Sequence, residues 1–369
     1  MAFKLSNEQA LTIMLSRITF SKSEIALIAQ LMKQDINWVE FFNYALINKT
    51  VGLVYHNIVK HKLFPRWIKP TVLLMMRSFY NAMAVRNKIL LESADEIQNK
   101  MNAHGIRVIP LKGITLLKEV YLFLGARSLN DLDFLCSYKD IKSIATIMNS
   151  IGYIEGEYDW NQKEIHPFSR KKKLLWKSKM NNLPTYIKKN DNLNVEIIEV
   201  DFSISLDLKR NFEVMDKIFV KDMQNDISVD DFLLHLCCHL FKEAEGDIWI
   251  AAAADINLIK FCDIREYYIC NRNQIFDERL IDRSVELECS NALYYSMYYL
   301  HIIYNDDFSE NILKLMNYKS LSIDKTRLSC LDFSDEEQAR FYKRVFTYKN
   351  ANNISDVNFA TKQSAFDEL

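Results

Sequence analysis

The chain has 369 residues, of which 49% are hydrophobic and 26% are charged, and its formal net charge at pH 7 is −1. This apolar content is enough for a sizeable core, and the near-zero charge excludes a general electrostatic attraction to nucleic acid or membrane surfaces. The scarcity of glycine, with seven in the whole chain, indicates a mostly helical protein.

Cysteine use and the lack of long apolar stretches predict a cytoplasmic protein. The seven cysteines are odd in number and contain no C-x-x-C pair, which is typical of reduced thiols in the cytosol. The N-terminal segment lacks the basic and apolar regions of a signal peptide, and no run of apolar residues is long enough to span a bilayer. We therefore expect no membrane partner.

Residues 1–104 are predicted to form an N-terminal helical region. The segment SNEQALTIMLSRI has Ser6 and Gln9 at the spacing of a capping box, and its apolar residues recur every three or four positions. Pro65 and Pro70 interrupt the helical pattern. A long run without a helix breaker then begins at residue 71 and ends at Gly105, which suits a helix C-terminus.

Residues 105–210 differ in composition and are predicted to form an α/β core. Five of the seven glycines fall within residues 105–156. Segments 107–111, 128–136 and 194–205 have strand patterns, whereas 114–124 and 139–153 have helical spacing. Since helical patterns return in residues 211–369, the sequence predicts a mostly helical α+β fold, with a small mixed sheet between N- and C-terminal helical regions.

The strand segment SLNDLDFLC carries two aspartates. Because alternate residues of a strand share a face, Leu132 and Phe134 suit the core, while Asp131 and Asp133 project from the other side. Two carboxylates this close repel each other, and Mg²⁺ removes the repulsion while leaving room for phosphate oxygens. The pattern indicates a metal–nucleotide site, the alternative being a solvent-facing pair held by arginine or lysine.

A second strand segment, NVEIIEVDFSIS, supplies further acids. Glu199 and Asp201 share one of its faces, and a third acid on a neighbouring strand is what two-metal phosphoryl transfer requires. Lys112, a glycine at the mouth of a helix (Gly113) and Arg127 are candidates for binding a triphosphate.

The segment RKKKLLWKSK, residues 170–179, is strongly basic. It has two interpretations: a solvated loop, or a basic lip that meets a triphosphate, an acidic acceptor or RNA phosphates. Trp176 within it could stack on a base or pack in the core.

The segment VIPLKGITLLKEVYLFLGARSLNDLDFL resembles the signature of a nucleotidyltransferase family whose pattern is L-K-G, a helix and then R-x-x-x-D-x-D. That family belongs to the DNA polymerase β-like nucleotidyltransferase superfamily. The similarity covers residues 35–268 and is tightest over 108–135. The segment IIEVDFSI resembles the family's strand with an acid, a spacer, a histidine and a tryptophan, so that Asp201 stands where the family often has histidine.

By this resemblance, Asp131 and Asp133 hold two metal ions, Mg²⁺ or alternatively Mn²⁺, and Glu199 holds the catalytic one. Asp201 stays open as an alternative third ligand or as a catalytic base. The residues implied for binding the triphosphate are Lys112, Gly113, Arg127 and Ser128.

The resemblance implies a cytoplasmic enzyme that moves a nucleoside monophosphate from an NTP, such as ATP, to a hydroxyl or similar acceptor and releases pyrophosphate. The acceptor is expected to be a small molecule, a peptide or a protein, with RNA less expected. Two alternatives remain open. The same metal–phosphate site could take another phosphate-linked donor, such as a nucleotide sugar, or the protein could be a non-catalytic nucleotide-binding scaffold or regulator.

Overall fold

The computed structural model describes residues 4–64, 68–206, 212–219, 227–246, 249, 256–318 and 335–347. Within these ranges the chain is mostly helical and contains one six-stranded mixed sheet, which confirms the predicted α+β fold class. The chain divides into two compact units, one formed by Tyr80–His235 and one by Met1–Phe79 with Leu236–Leu369. The three-part division at residues 104/105 and 210/211 stays a prediction.

The α-helices of the described ranges are, in chain order, α1 (Asn7–Leu15), α2 (Lys22–Leu31), α3 (Trp38–Ile47), α4 (Val51–Lys60), α5 (Pro70–Ala103), α6 (Lys112–Leu116), α7 (Ile141–Ser150), α8 (Arg170–Lys179), α9 (Phe212–Ile218), α10 (Val229–Glu245), α11 (Leu258–Cys270), α12 (Asp277–Glu286), α13 (Ser290–Tyr304), α14 (Asp307–Tyr318) and α15 (Asp335–Phe346). Helix α6 continues as a π-helical turn over Leu117–Tyr121. In the ranges that the structure covers, no helix is both long and apolar enough to cross a membrane.

The strands are β1 (Val108–Pro110), β2 (Leu132–Cys136), β3 (Ile154–Asp159), β4 (Glu164–Pro167), β5 (Tyr186–Asn192) and β6 (Val195–Ser203). Their order across the sheet is β1-β2-β6-β5-β3-β4. Strands β2 and β6 pair in parallel, and the other pairs in this sheet are antiparallel. A parallel pair needs a long connection, which α7, α8 and the strands β3 to β5 provide here.

The predicted strands at 107–111, 128–136 and 194–205 correspond to β1, β2 and β6, each shorter than expected. Strands β3, β4 and β5 were not predicted. Strand β4 is mostly exposed, and β5 has buried residues only at its start, so neither has the apolar alternation that identifies a half-buried strand. Their place in the sheet depends on pairing with partners that are distant in sequence.

Helix α1 begins as its sequence predicts. The Ser6 hydroxyl accepts from the Gln9 amide at 3.2 Å, and the Gln9 side chain accepts from the Ser6 amide at 3.0 Å, which completes the expected capping box. Pro70 was expected to interrupt the pattern and instead is the first residue of α5. Proline is tolerated there because the N–H that it lacks would have no partner within the helix.

The unit that contains α1 to α4 also contains a buried ion network around Arg265 of α11. Its guanidinium donates to Asp306 Oδ1 at 3.0 Å and Oδ2 at 2.6 Å, and it also contacts Glu266. Glu266 is fully buried, and its two oxygens accept from the Ile18 amide at 2.9 Å and the Thr19 hydroxyl at 3.0 Å. The network therefore ties α11 to the segment between α1 and α2.

Candidate metal centre

Two acidic segments meet where β2 and β6 pair. The parallel register places Asp133 opposite Asp201 and Leu132 opposite Val200. Val200 and the neighbouring Phe202 are fully buried in the core, so the alternation of β6 directs Asp201 to the opposite face. The two-faced pattern of both segments thus brings acids from separate parts of the chain together.

The side chains of Asp131, Asp133 and Asp201 form one carboxylate cluster. One oxygen from each lies within 4.8 Å of the others, and among the described residues no other group of three or more acids, histidines or cysteines has such spacing. Thr185, at the start of β5, donates its hydroxyl to Asp201 Oδ1 at 2.7 Å. This hydrogen bond fixes the orientation of the Asp201 carboxylate.

Asp133 is 6% exposed, and its charge is the least favourable of the cluster. Burial raises the pKa of its carboxyl to about 6, and the charges of Asp131 and Asp201 add to this rise. The Lys112 ammonium acts against the rise, since its Nζ donates to Asp133 Oδ1 at 2.8 Å. One lysine does not offset burial and two neighbouring carboxylates, so the cluster favours further positive charge.

This donor set fits a hard divalent cation. Mg²⁺ and Mn²⁺ prefer oxygen ligands, and three carboxylates on one side of a cation leave positions for phosphate oxygens or water. The residues that can hold such an ion are Asp131, Asp133 and Asp201.

The L-K-G segment is fixed against β2. The Leu111 amide donates to the Asp133 carbonyl at 2.9 Å, and Lys112 follows with a φ of 45°, in the left-handed region. That region costs a non-glycine residue about 1 kcal/mol or more, and such strain concentrates at functional sites. The strained backbone turns Lys112 toward the carboxylate cluster.

Gly113 has a packing reason to be glycine. A Cβ at this position would lie 2.5 Å from Arg127 Nη1 and 2.5 Å from Leu129 Cδ1. The absence of a side chain at residue 113 therefore leaves room for the Arg127 guanidinium. Arg127 also donates to the Ser128 carbonyl at 3.2 Å. Gly113, Arg127 and Ser128 are thus neighbours in space as well as in the motif.

Glu199 lies on β6 two residues before Asp201, opposite Ile187 of β5. Its carboxylate is not one of the three in the cluster. The charge of Glu199 acts instead on Arg86 of α5: burial lowers the pKa of the Arg86 guanidinium, and the carboxylates of Glu199 and Asp131 oppose that effect. The structure thus brings Asp201 to the D-x-D pair and Glu199 to an arginine.

Sequence reasoning did not identify Arg86 and its neighbour Asn87. Both hydrogen-bond to the backbone between residues 124 and 130, the segment that leads into Asp131. Within α5 they look like two more polar helix residues, because their partners lie about 40 residues away and only the tertiary fold brings them together. No signal in the sequence alone distinguishes them.

The basic segment forms helix α8 and not a loop. Two of its lysines make ion pairs with β3: Lys172 with Glu157 at 2.8 Å and Lys173 with Glu155 at 2.5 Å. Trp176 is 3% exposed and donates its indole N–H to Asn182. The packing interpretation of Trp176 therefore holds, and the indole has no exposed face for a base.

Comparison with known protein families gives one match. The family model described as "Uncharacterised nucleotidyltransferase" matches residues 34–305, which include both acidic strands and α5. No curated protein and no solved structure matches the chain.

Proposed function

Because this chain belongs to the uncharacterised nucleotidyltransferase family, we propose that it is an enzyme that transfers a nucleoside monophosphate from an NTP to a hydroxyl or similar acceptor, with release of pyrophosphate. The observation that carries this proposal is the convergence of Asp131, Asp133 and Asp201 from two adjacent parallel strands. The acceptor class is a small molecule, a peptide or a protein, and the proposed location is the cytoplasm.

In this proposal, Asp131, Asp133 and Asp201 hold Mg²⁺ or Mn²⁺. A bound divalent cation lowers the pKa of the acceptor hydroxyl and neutralises charge on the transferred phosphate. Of the two candidates for the third ligand, we propose Asp201, because its carboxylate lies in the cluster and Thr185 orients it. Glu199 is then the charge partner of Arg86.

Lys112 and Arg127 are proposed to bind the phosphates. Lys112 brings positive charge to the edge of the carboxylate cluster. Arg127 offers a guanidinium that can donate two parallel hydrogen bonds to phosphate oxygens. Their charge stabilises the leaving pyrophosphate, and Ser128 beside Arg127 supplies a hydroxyl to the same site.

A transfer assay tests the function directly. The protein with Mg²⁺ or Mn²⁺ is incubated with each α-³²P-labelled NTP and a cell extract, and label is followed on small molecules, peptides and proteins. Label on an acceptor with pyrophosphate release supports the proposal. NTP binding by calorimetry with no transfer under any condition would favour a non-catalytic nucleotide-binding protein.

The third metal ligand can be tested by paired substitutions on β6. We expect Asp201→Asn to weaken Mn²⁺ binding by about ten-fold or more, because it removes one anionic ligand from the cluster. Glu199→Gln should weaken it less, since Glu199 lies outside the cluster. Dissociation constants come from electron paramagnetic resonance of free Mn²⁺, with Asp191→Asn on β5 as the exposed control. The opposite order would make Glu199 the ligand.

Gly113→Ala tests the position of Arg127. The added Cβ displaces the ends of two flexible side chains and not the backbone, so we expect the fold to persist while the Arg127 guanidinium moves. NTP affinity by calorimetry should fall by about ten-fold, the effect of one charged hydrogen bond.

The control for this experiment is Arg127→Met, alone and combined with Gly113→Ala. If Gly113 acts through Arg127, the double variant should bind NTP no more weakly than Arg127→Met. Additive losses would mean that Gly113 contributes in another way.

A further inference from the structure

Helix α5 holds the segment that leads into the D-x-D pair. Asn87 is fully buried, and its side-chain amide donates to the carbonyls of Leu124 at 2.5 Å and Arg127 at 2.6 Å. Its side-chain oxygen accepts from the Leu129 amide at 3.0 Å. One side chain thus satisfies three backbone groups of an irregular segment, where unsatisfied buried groups would each cost about 1–3 kcal/mol.

Arg86 holds the next part of the same segment, directly before the proposed metal ligand Asp131. Its Nε donates to the Leu129 carbonyl and its Nη2 to the Asn130 carbonyl, both at 3.1 Å. These are the two peptide units directly before Asp131. A planar guanidinium holds two successive carbonyls with donors in fixed directions, whereas the three donors of an ammonium rotate.

The positive charge of Arg86 also lies near the acidic side chains of the site. Two carboxylates, those of Glu199 and Asp131, lie close enough to interact with the guanidinium. Glu199 shares a face of β6 with Asp201, so Arg86 brings positive charge close to the acidic cluster, which by itself does not favour a cation there. The contribution of Arg86 to metal binding is therefore the placement of the backbone before Asp131.

We propose that Arg86 is a positioning residue of the metal centre, which places Asp131 through the carbonyls of Leu129 and Asn130. Asn87 fixes the preceding turn and the backbone of Arg127. This inference rests on the proposed function, because it assigns Arg86 to the metal site of that reaction.

The test measures Mn²⁺ binding by electron paramagnetic resonance, which needs neither acceptor nor turnover. Arg86→Lys keeps the positive charge but loses the planar guanidinium with its fixed donor directions. Arg86→Met loses both the charge and the donors. We expect Mn²⁺ affinity to fall about 10–100-fold in each variant, the usual effect of a residue that supports metal ligands. The control is Arg77→Met, an exposed arginine on the same helix, which should bind Mn²⁺ like the wild type.

The charge-conserving variant and the stability of each variant separate positioning from charge and from general support of the fold. Arg86→Lys tests the positioning without a change of charge, because lysine keeps the positive charge but lacks the planar guanidinium; if Arg86 acts through the two carbonyls, Arg86→Lys should still lose Mn²⁺ affinity. Thermal unfolding without metal is measured for every variant.

Three results would overturn the inference. The first is lower metal-free stability of the Arg86 variants with unchanged Mn²⁺ affinity, which would mean a purely structural role. The second is Mn²⁺ binding by Arg86→Lys equal to that of the wild type, which would mean that the guanidinium is not needed to place Asp131. The third is a wild-type protein that fails to bind Mn²⁺, which would also overturn the proposed function, whereas the first two leave that function standing.

Discussion

Asp133→Asn is expected to lose metal-dependent nucleotidyl transfer by about 10²–10⁴-fold in kcat, comparable to the removal of other groups that stabilise transition-state charge. The carboxylate belongs to the cluster with Asp131 and Asp201, and asparagine has the same shape without the charge. The measurement is release of pyrophosphate in the presence of Mg²⁺ or Mn²⁺ and the acceptor identified by the transfer assay.

The same substitution should leave the metal-free fold intact. Burial and neighbouring acids already raise the pKa of Asp133 to about 6, so ionising this carboxyl costs more than ionising an ordinary aspartate. Removing the charge relieves repulsion, although the ion pair between Lys112 and Asp133 is lost. Circular dichroism and thermal unfolding check the fold, and Asp191→Asn is the matched surface control. Full activity in Asp133→Asn would contradict the assignment.

Arg265→Met is expected to destabilise its unit by about 3–5 kcal/mol, because it leaves buried carboxylates without their cation. Burial by itself would lower the pKa of Arg265, yet hydrogen bonding to Asp306 and the charge of Glu266 raise it above the ordinary value, so the guanidinium stays charged. Glu266 is fully buried, so the loss of its cationic partner is not compensated by solvent.

Urea denaturation provides the measurement for this variant. The control is Arg340→Met on α15, whose ion pair with Glu336 is solvent-exposed and should contribute at most about 1 kcal/mol. Equal losses in the free energy of unfolding for Arg265→Met and Arg340→Met would mean that burial does not increase the contribution of the network to stability. Since the network lies in the other compact unit, metal binding by the folded variant should be unaffected.

The sequence predicts those parts of the site that depend on local patterns. The two-residue period of β2 and β6 identifies Asp131, Asp133 and Asp201 as side chains opposite a core face, because alternation follows from strand geometry. The capping box of α1 and the position of α7 also follow from patterns within a short stretch of sequence. The L-K-G and D-x-D segments carry the family resemblance by their spacing alone.

The features of the site that could not be predicted from the sequence depend on contacts between segments that are distant along the chain. The choice between Glu199 and Asp201 follows from the register of β6 on β2, and a shift of two residues would exchange their places. The roles of Arg86 and Asn87 depend on where a long helix crosses a loop. The basic segment was ambiguous because its charges suit a solvated loop, whereas Trp176 and the pairs with Glu155 and Glu157 hold it as a helix.

The insertion of β3, β4 and β5 between the paired strands β2 and β6 has a consequence for how the protein is made. A growing chain on the ribosome contains Asp131 and Asp133 well before Asp201 has been synthesised. Pairing across such a long separation is slow and comes late in folding. The carboxylate cluster therefore cannot assemble until β6 has been synthesised and has paired with β2.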